Sequence, residues 1–196
     1  MTESDRETNP EEPLTEDPRP DGLRVAKSVV LVNTGDGKGK SSAAFGVALR
    51  ARARECPVAV LQFLKSDDWV TGEQQMAEPL GIDFWSLGDG FTWDSDDLTK
   101  DEAEAQEAWR QGKAIVEAGE HRHVVFDEIT YPLNWGWIDA ADVEATFRDR
   151  PATVSLVLTG RDAPDWMIEM ADTVTEMVKT KHAYDDGIAA KKGIDF

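Results

Sequence analysis

A glycine-rich stretch between residues 33 and 42 holds the residue types that bind phosphate. It lies between an apolar run, Val29–Val32, and a run beginning at Ala43 that reads as a helix. Glycines let backbone amides converge on an anion, and a helix that starts directly after them points its positive end at the same place. Lys40 can add an ammonium and Ser41 a metal-binding hydroxyl. The stretch therefore predicts a nucleoside triphosphate site with these contacts: Thr34, Gly35, Asp36, Gly37, Lys38, Gly39, Lys40, Ser41 and Ser42.

This loop departs from the usual template, which is Gly, four residues of any type, then Gly-Lys-Ser/Thr. Counting back from Gly39 places Thr34 where the first glycine is expected, and Gly35 comes one position late. A glycine-rich turn with a lysine by chance is the alternative. The flanking strand and helix favour the phosphate loop, and the displaced glycine indicates an unusual nucleotide enzyme.

Two carboxylates end another apolar run, residues 123–128, which reads HVVFDE. Acids at the end of a strand that follows a phosphate loop are the expected ligands of magnesium. An acid pair alone would be a weak signal, but Lys40 and Ser41 strengthen it. We predict that Mg²⁺ or Mn²⁺ is held by Ser41, by Asp127 or Glu128, and by phosphate and water oxygens.

Composition indicates one globular domain. The chain has 196 residues, 40% of them hydrophobic, and no apolar run approaches the roughly 20 residues needed to span a bilayer. We therefore expect a cytoplasmic protein without membrane insertion. Residues 1–22 contain four prolines and few large apolar side chains, so we predict a flexible acidic tail there and a domain over 23–196. Cys56 is the single cysteine, which excludes an intrachain disulfide.

The net charge of −18 is the other prominent feature of the sequence. Such a surface repels phosphate backbones, so nucleic acid is not an expected partner. Residues 1–22 account for only −6 of this charge, and the rest is spread along the chain. We interpret the pattern as halophilic adaptation to a salt-rich cytoplasm, where screening reduces self-repulsion.

Strands and helices alternate along the chain, which predicts an α/β fold with a mostly parallel sheet and helices on both faces. In such sheets ligands bind at the carboxyl ends of the strands. The phosphate loop, Asp127 with Glu128, and residues 159–161 all follow strands, so they can converge. We predict strands over residues 27–34, 57–63, 82–87, 123–128, 153–160 and 172–178, and helices over 40–55, 95–119 and 139–149 and from Pro164.

Several motifs in one order resemble the ATP:corrinoid adenosyltransferases of vitamin B12 (cobalamin) biosynthesis and salvage, the type with a P-loop NTPase-like (RecA-like) fold. The similarity runs from about Lys27 to the last residue. Its motifs are GDGKGKSSAAFG from Gly35, VLQFLK from Val60, GFTW from Gly90, FDEITY from Phe126, TGR from Thr159, ADTV from Ala171, KHAY from Lys181 and GIDF from Gly193.

The resemblance implies transfer of the adenosyl group of ATP to the cobalt of a reduced corrinoid, with triphosphate as leaving group. Family members share the shortened loop and bind ATP in reverse, which would explain the displaced glycine. It also implies catalytic roles for Lys40 and Glu128, a homodimer, and a flavoprotein reductant as a possible partner.

Aromatic and basic residues gain roles from the same resemblance. Phe91 and Trp93, which could otherwise be packing residues, would lie against the lower face of the corrin and exclude the axial ligand from cobalt. Of the two candidate arginines, Arg161 is the better candidate for an ATP contact, because it directly follows a glycine at a strand end. Arg50 lies nearly three helical turns beyond Lys40, so a solvated side chain and an ATP contact both stay open.

Some alternatives also stay open. Trp135 and Trp137 would form either a hydrophobic wall near the corrinoid or a subunit contact. An ordinary P-loop ATPase or kinase, or a nucleotide-dependent corrinoid carrier, would use the same loop.

Overall fold

The computed structural model describes residues 13, 15, 17, 19–64, 70–87 and 98–195. Phe91 and Trp93 lie outside the described residues, and so does most of the proposed tail. The strands are β1 (Val30–Thr34), β2 (Val58–Phe63), β3 (Asp83–Leu87), β4 (His123–Asp127), β5 (Ser155–Thr159) and β6 (Thr173–Glu176). The helices are α1 (Lys40–Arg52), α2 (Gly72–Leu80), α3 (Leu98–Ala118), α4 (Thr130–Asn134), α5 (Ala140–Arg148) and α6 (Asp165–Met170).

The six strands form one sheet in the order β3-β2-β4-β5-β1-β6, and every pairing among the described residues is parallel. This confirms the predicted α/β fold with a parallel sheet. Strands β4, β5 and β1 are neighbours, so the segments that follow them emerge side by side. The topology therefore brings together the phosphate loop, the Asp127–Glu128 pair and the Gly160–Arg161 turn.

Two apolar layers cover the sheet. On one face α1 packs through Ala44, Ala48 and Ala51 onto the valines of β2, β4 and β5. Alanine side chains are short, so this helix can lie close to the strands. Its first turn directly follows the loop at the carboxyl end of β1. On the opposite face α3, α5 and α6 cover a larger core that includes Phe126 and Phe147.

Element ends differ from the predictions by a few residues. Helix α1 ends at Arg52, three residues before the predicted end, and Glu55 adopts a left-handed backbone (φ 59°) in the turn before β2. The short helix α4 was not predicted. No helix in the described part of the chain is long and apolar enough to cross a bilayer.

Candidate active site

The phosphate loop packs against the chain just after β6. A Cβ atom at Gly35 would lie 2.6 Å from the carbonyl oxygen of Met177, and one at Gly37 would lie 2.7 Å from the same carbonyl group. The main-chain N–H of Gly37 donates to that oxygen at 2.6 Å. Both positions therefore require glycine because another stretch of backbone, rather than a side chain, fills the space.

Thr34 stands where the template has its first glycine. It connects the start of the loop to two other segments of the chain by hydrogen bonds. Its hydroxyl accepts a hydrogen bond from the amide of Ala163 at 3.2 Å, and its carbonyl accepts one from the amide of Met177 at 2.8 Å. The side chain is buried. The displaced glycine thus reflects a loop that is anchored at Thr34 and turns at Gly35, where φ is 91°.

Lys40 lies inside the loop that precedes it. Its ammonium donates to the carbonyl oxygens of Gly35 and Gly37, both at 2.8 Å. The side chain of Lys40 is half-buried, and Ser41 follows it in the first turn of α1. No side chain caps the first-turn amides of this helix among the described residues, so they face the loop as donors for an anion.

The electrostatic surroundings of Lys40 mix both signs. Burial is the main cause that lowers its pKa, and the positive charge of Arg161 acts in the same direction. The carboxylates of Glu128, Asp36 and Asp127 oppose this shift. A triphosphate would add negative charge at this point, so Lys40 is prepared to exchange its carbonyl partners for phosphate oxygens.

Asp127 and Glu128 occupy different environments although they are adjacent. Asp127 is fully buried, and its two oxygens accept hydrogen bonds from Gln62 (2.8 Å) and from the hydroxyl of Thr159 (2.7 Å). Glu128 has a left-handed backbone (φ 64°), and its side chain lines a cavity shared with Ser41. Of the two acids, Glu128 therefore has the better position for a ligand or a metal ion.

The donor set fits a hard cation such as Mg²⁺. Ser41 offers a hydroxyl and Glu128 a carboxylate on the same cavity, and Mg²⁺ commonly takes its other ligands from phosphates and water. Within the described ranges no three His, Cys, Asp or Glu side chains come together as a metal centre. The hydroxyl of Ser41 and the carboxylate of Glu128 thus fit a cation that is bound together with a nucleotide.

The two candidate arginines lie in different places. Arg161 follows Gly160 at the end of β5, and its guanidinium is 3.3 Å from the carboxylate of Asp36 on the phosphate loop. Arg50 is exposed in the last turn of α1 and does not line the cavity. Within one chain, Arg161 joins the site and Arg50 does not.

The cavity beside the loop has a volume of about 730 Å³. This lies in the range of small-molecule sites, which is about 300–1,000 Å³. Its polar end holds Lys40, Ser41 and Glu128. Away from the loop it is lined by apolar side chains of α1, of α2 and of the segment that enters β3, namely Phe45, Leu49, Met76, Leu80, Ile82 and Phe84. The arrangement can hold a charged group at one end and a flat or apolar group at the other.

The segment near the carboxyl terminus also contributes to the site, which the sequence motifs alone did not place. Gly193, Ile194 and Asp195 line the cavity, and the carboxylate of Asp195 accepts a hydrogen bond from Lys38 of the phosphate loop. The Lys38 contact is the main cause that lowers the pKa of Asp195. This contact joins positions 157 residues apart, so no local pattern could have indicated it.

An aromatic cluster follows α4. The ring centroids of Trp135 and Trp137 are 4.7 Å apart, and those of Tyr131 and Trp135 are 5.6 Å apart. Trp135 is exposed, whereas Tyr131 is half-buried near Glu128. Burial is the main cause that raises the pKa of Tyr131, and the negative charge of Glu128 acts in the same direction. The cluster extends from the site to the surface, which is compatible with both roles considered for the two tryptophans.

Comparison with known proteins gives a consistent result. Residues 26–196 match the family described as "ATP:corrinoid adenosyltransferase BtuR/CobO/CobP". A corrinoid adenosyltransferase of Sinorhizobium sp. is 41% identical over 174 residues, covering 87% of this chain and 81% of the relative. A protein of the same name in Pseudomonas aeruginosa is 41% identical, covering 88% of this chain and 86% of the relative. Another in Escherichia coli (strain K12) is 36% identical, covering 87% of this chain and 86% of the relative. The chain belongs to the ATP:corrinoid adenosyltransferase family.

Proposed function

We propose that this chain transfers the 5′-deoxyadenosyl group of ATP to the cobalt of a reduced corrinoid in adenosylcobalamin synthesis, and that the residues of the candidate site perform this reaction. The family match over residues 26–196 carries the proposal. The phosphate loop, Glu128 and Arg161 lie on or beside one cavity, which supports the assignment of these residues to the ATP site.

The reaction is a displacement at the ribose 5′-carbon. The electron pair of cobalt(I) forms the cobalt–carbon bond, the bond from C5′ to the phosphate oxygen breaks, and its electron pair leaves with triphosphate. Because the substrate brings its own nucleophile, the protein needs no general base. The chain must align the two reactants, which can lower a barrier by about 7–11 kcal/mol, and stabilise the charge of the leaving group.

The proposed division of labour follows the geometry. Lys40, the first-turn amides of α1 and Arg161 hold the triphosphate, with contacts from the rest of the loop. Ser41 and Glu128 would hold Mg²⁺ or Mn²⁺, which supplies further neutralisation of the leaving group when bound. Arg50 does not line the cavity, so it has no proposed task in holding the triphosphate within one subunit.

Phe91 and Trp93 are proposed to cover the lower face of the corrin and to keep the axial ligand away from cobalt, which eases reduction of cobalt(II). The Trp93→Ala variant should slow adenosylation from cobalt(II) far more than it weakens ATP binding. Equal losses in both would contradict this role. The electron is proposed to come from a flavoprotein, and the enzyme is proposed to act as a cytoplasmic homodimer; light scattering of the purified protein tests the dimer.

Product analysis tests the activity. The protein is incubated with ATP, Mg²⁺ and a chemically reduced corrinoid, and the products are assayed for triphosphate and for the absorption spectrum of a cobalt–carbon bond. We expect both in equal amounts, and a loss of about 100-fold or more in kcat/KM for Lys40→Ala. ADP as the product would indicate an ATPase or kinase, and corrinoid binding without turnover would indicate a carrier.

A further inference from the structure

Four polar side chains stand in register on neighbouring strands, on the face of the sheet that α1 covers. Gln62 of β2 pairs with Ser86 of β3 on one side and with Asp127 of β4 on the other. Thr159 continues the series on β5, since it follows Leu158, the register partner of Phe126. We call Ser86, Gln62, Asp127 and Thr159 the polar row. On β1 the register partner of Thr159 is Asn33, which is also buried. Gln62, Asp127 and Thr159 are the most deeply buried of these residues, each at most 1% exposed.

The hydrogen bonds of the polar row have a fixed direction. Gln62 donates its amide N–H to one oxygen of Asp127, and Thr159 donates its hydroxyl to the other. A hydroxyl has a single proton, so the oxygen of Thr159 is left as an acceptor. It accepts the main-chain N–H of Glu128 at 2.9 Å. The buried carboxylate therefore orients Thr159, and Thr159 holds the backbone of Glu128.

Glu128 needs such support because of its conformation. Its φ of 64° lies in the left-handed region that side chains other than glycine rarely adopt. This conformation turns the chain at the end of β4, where Glu128 lines the cavity with Lys40 and Ser41. A disfavoured backbone conformation at a site persists when the surrounding contacts enforce it.

We propose that Gln62, Asp127 and Thr159 are positioning residues that aim the carboxylate of Glu128 at the metal-nucleotide site. In this view Asp127 acts through Thr159 rather than as a direct metal ligand, since both of its oxygens already accept hydrogen bonds. The inference rests on the proposed function for the identity of the ligand, Mg²⁺ with ATP. It assigns roles to Gln62 and Thr159, two residues without an obvious chemical task.

The test compares Thr159→Val, which removes the hydroxyl at nearly constant shape, with Thr159→Ser, which keeps it. Calorimetry measures ATP binding with and without Mg²⁺, so the result does not depend on turnover. We expect Thr159→Val to reduce the gain in ATP affinity due to Mg²⁺ by about tenfold, as for other residues that orient metal ligands, and Thr159→Ser to restore most of it. Affinity measured without Mg²⁺ should change much less.

A matched control separates positioning from general destabilisation. Thr146 is also a buried threonine, and its hydroxyl donates to the main-chain carbonyl of Asp142 in α5, away from the site. Thr146→Val should lower the free energy of unfolding without altering the Mg²⁺ effect. If Thr159→Val does not fold, Gln62→Leu tests the same route through Asp127 and should give a smaller loss of the same kind.

A double-mutant comparison completes the experiment. If Thr159 acts through Glu128, Thr159→Val should have little further effect on the Mg²⁺ gain in a Glu128→Ala background. Additive losses, an unchanged Mg²⁺ gain in Thr159→Val, or the absence of any Mg²⁺ effect in the unaltered protein would overturn the inference. If Thr159→Val reduces the Mg²⁺ gain as expected but the unaltered protein forms no cobalt–carbon bond, the proposed function is overturned and the positioning role of Thr159 stands.

Discussion

The main-chain N–H of Gly37 donates a 2.6 Å hydrogen bond to the carbonyl oxygen of Met177, so the phosphate loop and the segment after β6 form one packed unit. This contact fixes the loop from outside the β1-α1 connection. The backbone conformation of Gly37 does not itself require glycine, because its φ is not positive. A larger residue is excluded there because the backbone of Met177 and Val178 occupies the space in which its Cβ would lie.

Replacement of Gly37 by alanine should therefore displace this unit. The new Cβ would lie 2.7 Å from the carbonyl group of Met177 and 2.8 Å from the carbonyl carbon of Val178, and backbone cannot move aside as a side chain can. We expect Gly37→Ala to weaken ATP binding by about tenfold or more, measured by calorimetry, since loss of one hydrogen bond to a charged group costs about 1.5–3 kcal/mol. Gly22→Ala is strained by its φ of 75° but has no atom within 4 Å of its Cβ and lies outside the cavity, so it should leave ATP affinity unchanged. An affinity of Gly37→Ala within twofold of the original would contradict the argument.

The sequence predicted the elements that carry the site because their signals are local. The apolar runs before Gly35 and Asp127 predict buried parallel strands, and β1 and β4 form there. The glycines at 35, 37 and 39 predicted a phosphate loop, and the loop has the expected place between β1 and α1. The predicted convergence of three strand ends follows from the observed strand order.

Other features depend on contacts that no short pattern contains. Helix α4 has five residues with Pro132 in the middle, so no helical period can develop. The packing of Met177 on the loop joins positions about 140 residues apart in sequence. Gln62 is visible as a polar residue in an apolar run, which could have marked it, but its partner Asp127 becomes known only from the strand register.

The affinity for ATP should fall at alkaline pH as Lys40 loses its proton. Burial lowers its pKa from the ordinary lysine value, and Arg161 contributes in the same direction. The ammonium therefore loses its proton at a lower pH than an exposed lysine, whose pKa is about 10.4. In the proposed site the triphosphate binds the charged form of Lys40. The Kd for ATP should therefore rise as the pH rises through this lowered pKa, and ATP binding there should take up a proton.

Calorimetry in two buffers of different ionisation enthalpy, between about pH 8 and pH 10, measures both the Kd and the proton uptake. Lys40→Arg keeps its charge over this range because a guanidinium remains protonated at much higher pH than an ammonium. This variant should bind ATP more weakly but without proton uptake. The same uptake in Lys40→Arg and in the unaltered chain would assign the effect to another group.

Two glycines within helices should respond to alanine in opposite directions. Gly112 of α3 lies over the core, and a Cβ there would be 2.6 Å from the ring of Phe126 and 3.3 Å from a methyl group of Leu61. Gly46 of α1 has no atom within 4 Å of that position. Overpacking costs about 1–3 kcal/mol, whereas replacing glycine by alanine in an open helical position gains about 0.8–1 kcal/mol.

Urea unfolding followed by circular dichroism measures both variants. The free energy of unfolding should fall for Gly112→Ala and rise for Gly46→Ala. The two replacements share the same gain in helix propensity, so their difference reports the contact with Phe126. Equal changes would show that α3 moves away from the sheet at little cost.

The acidic surface should make stability depend on salt. With a net charge of −18 the folded chain repels itself, and the Debye length falls from about 10 Å at 0.1 M salt to about 3 Å at 1 M. We expect the free energy of unfolding to rise with KCl over this interval and then to level off, because screening is nearly complete when the Debye length is shorter than the spacing of the charges.

Urea titrations at fixed KCl concentrations measure the rise, and K₂SO₄ at equal ionic strength serves as the control. Equal rises in the two salts identify screening, whereas a much larger effect of sulfate would indicate exclusion from the protein surface. Greatest stability without added salt would refute the halophilic interpretation.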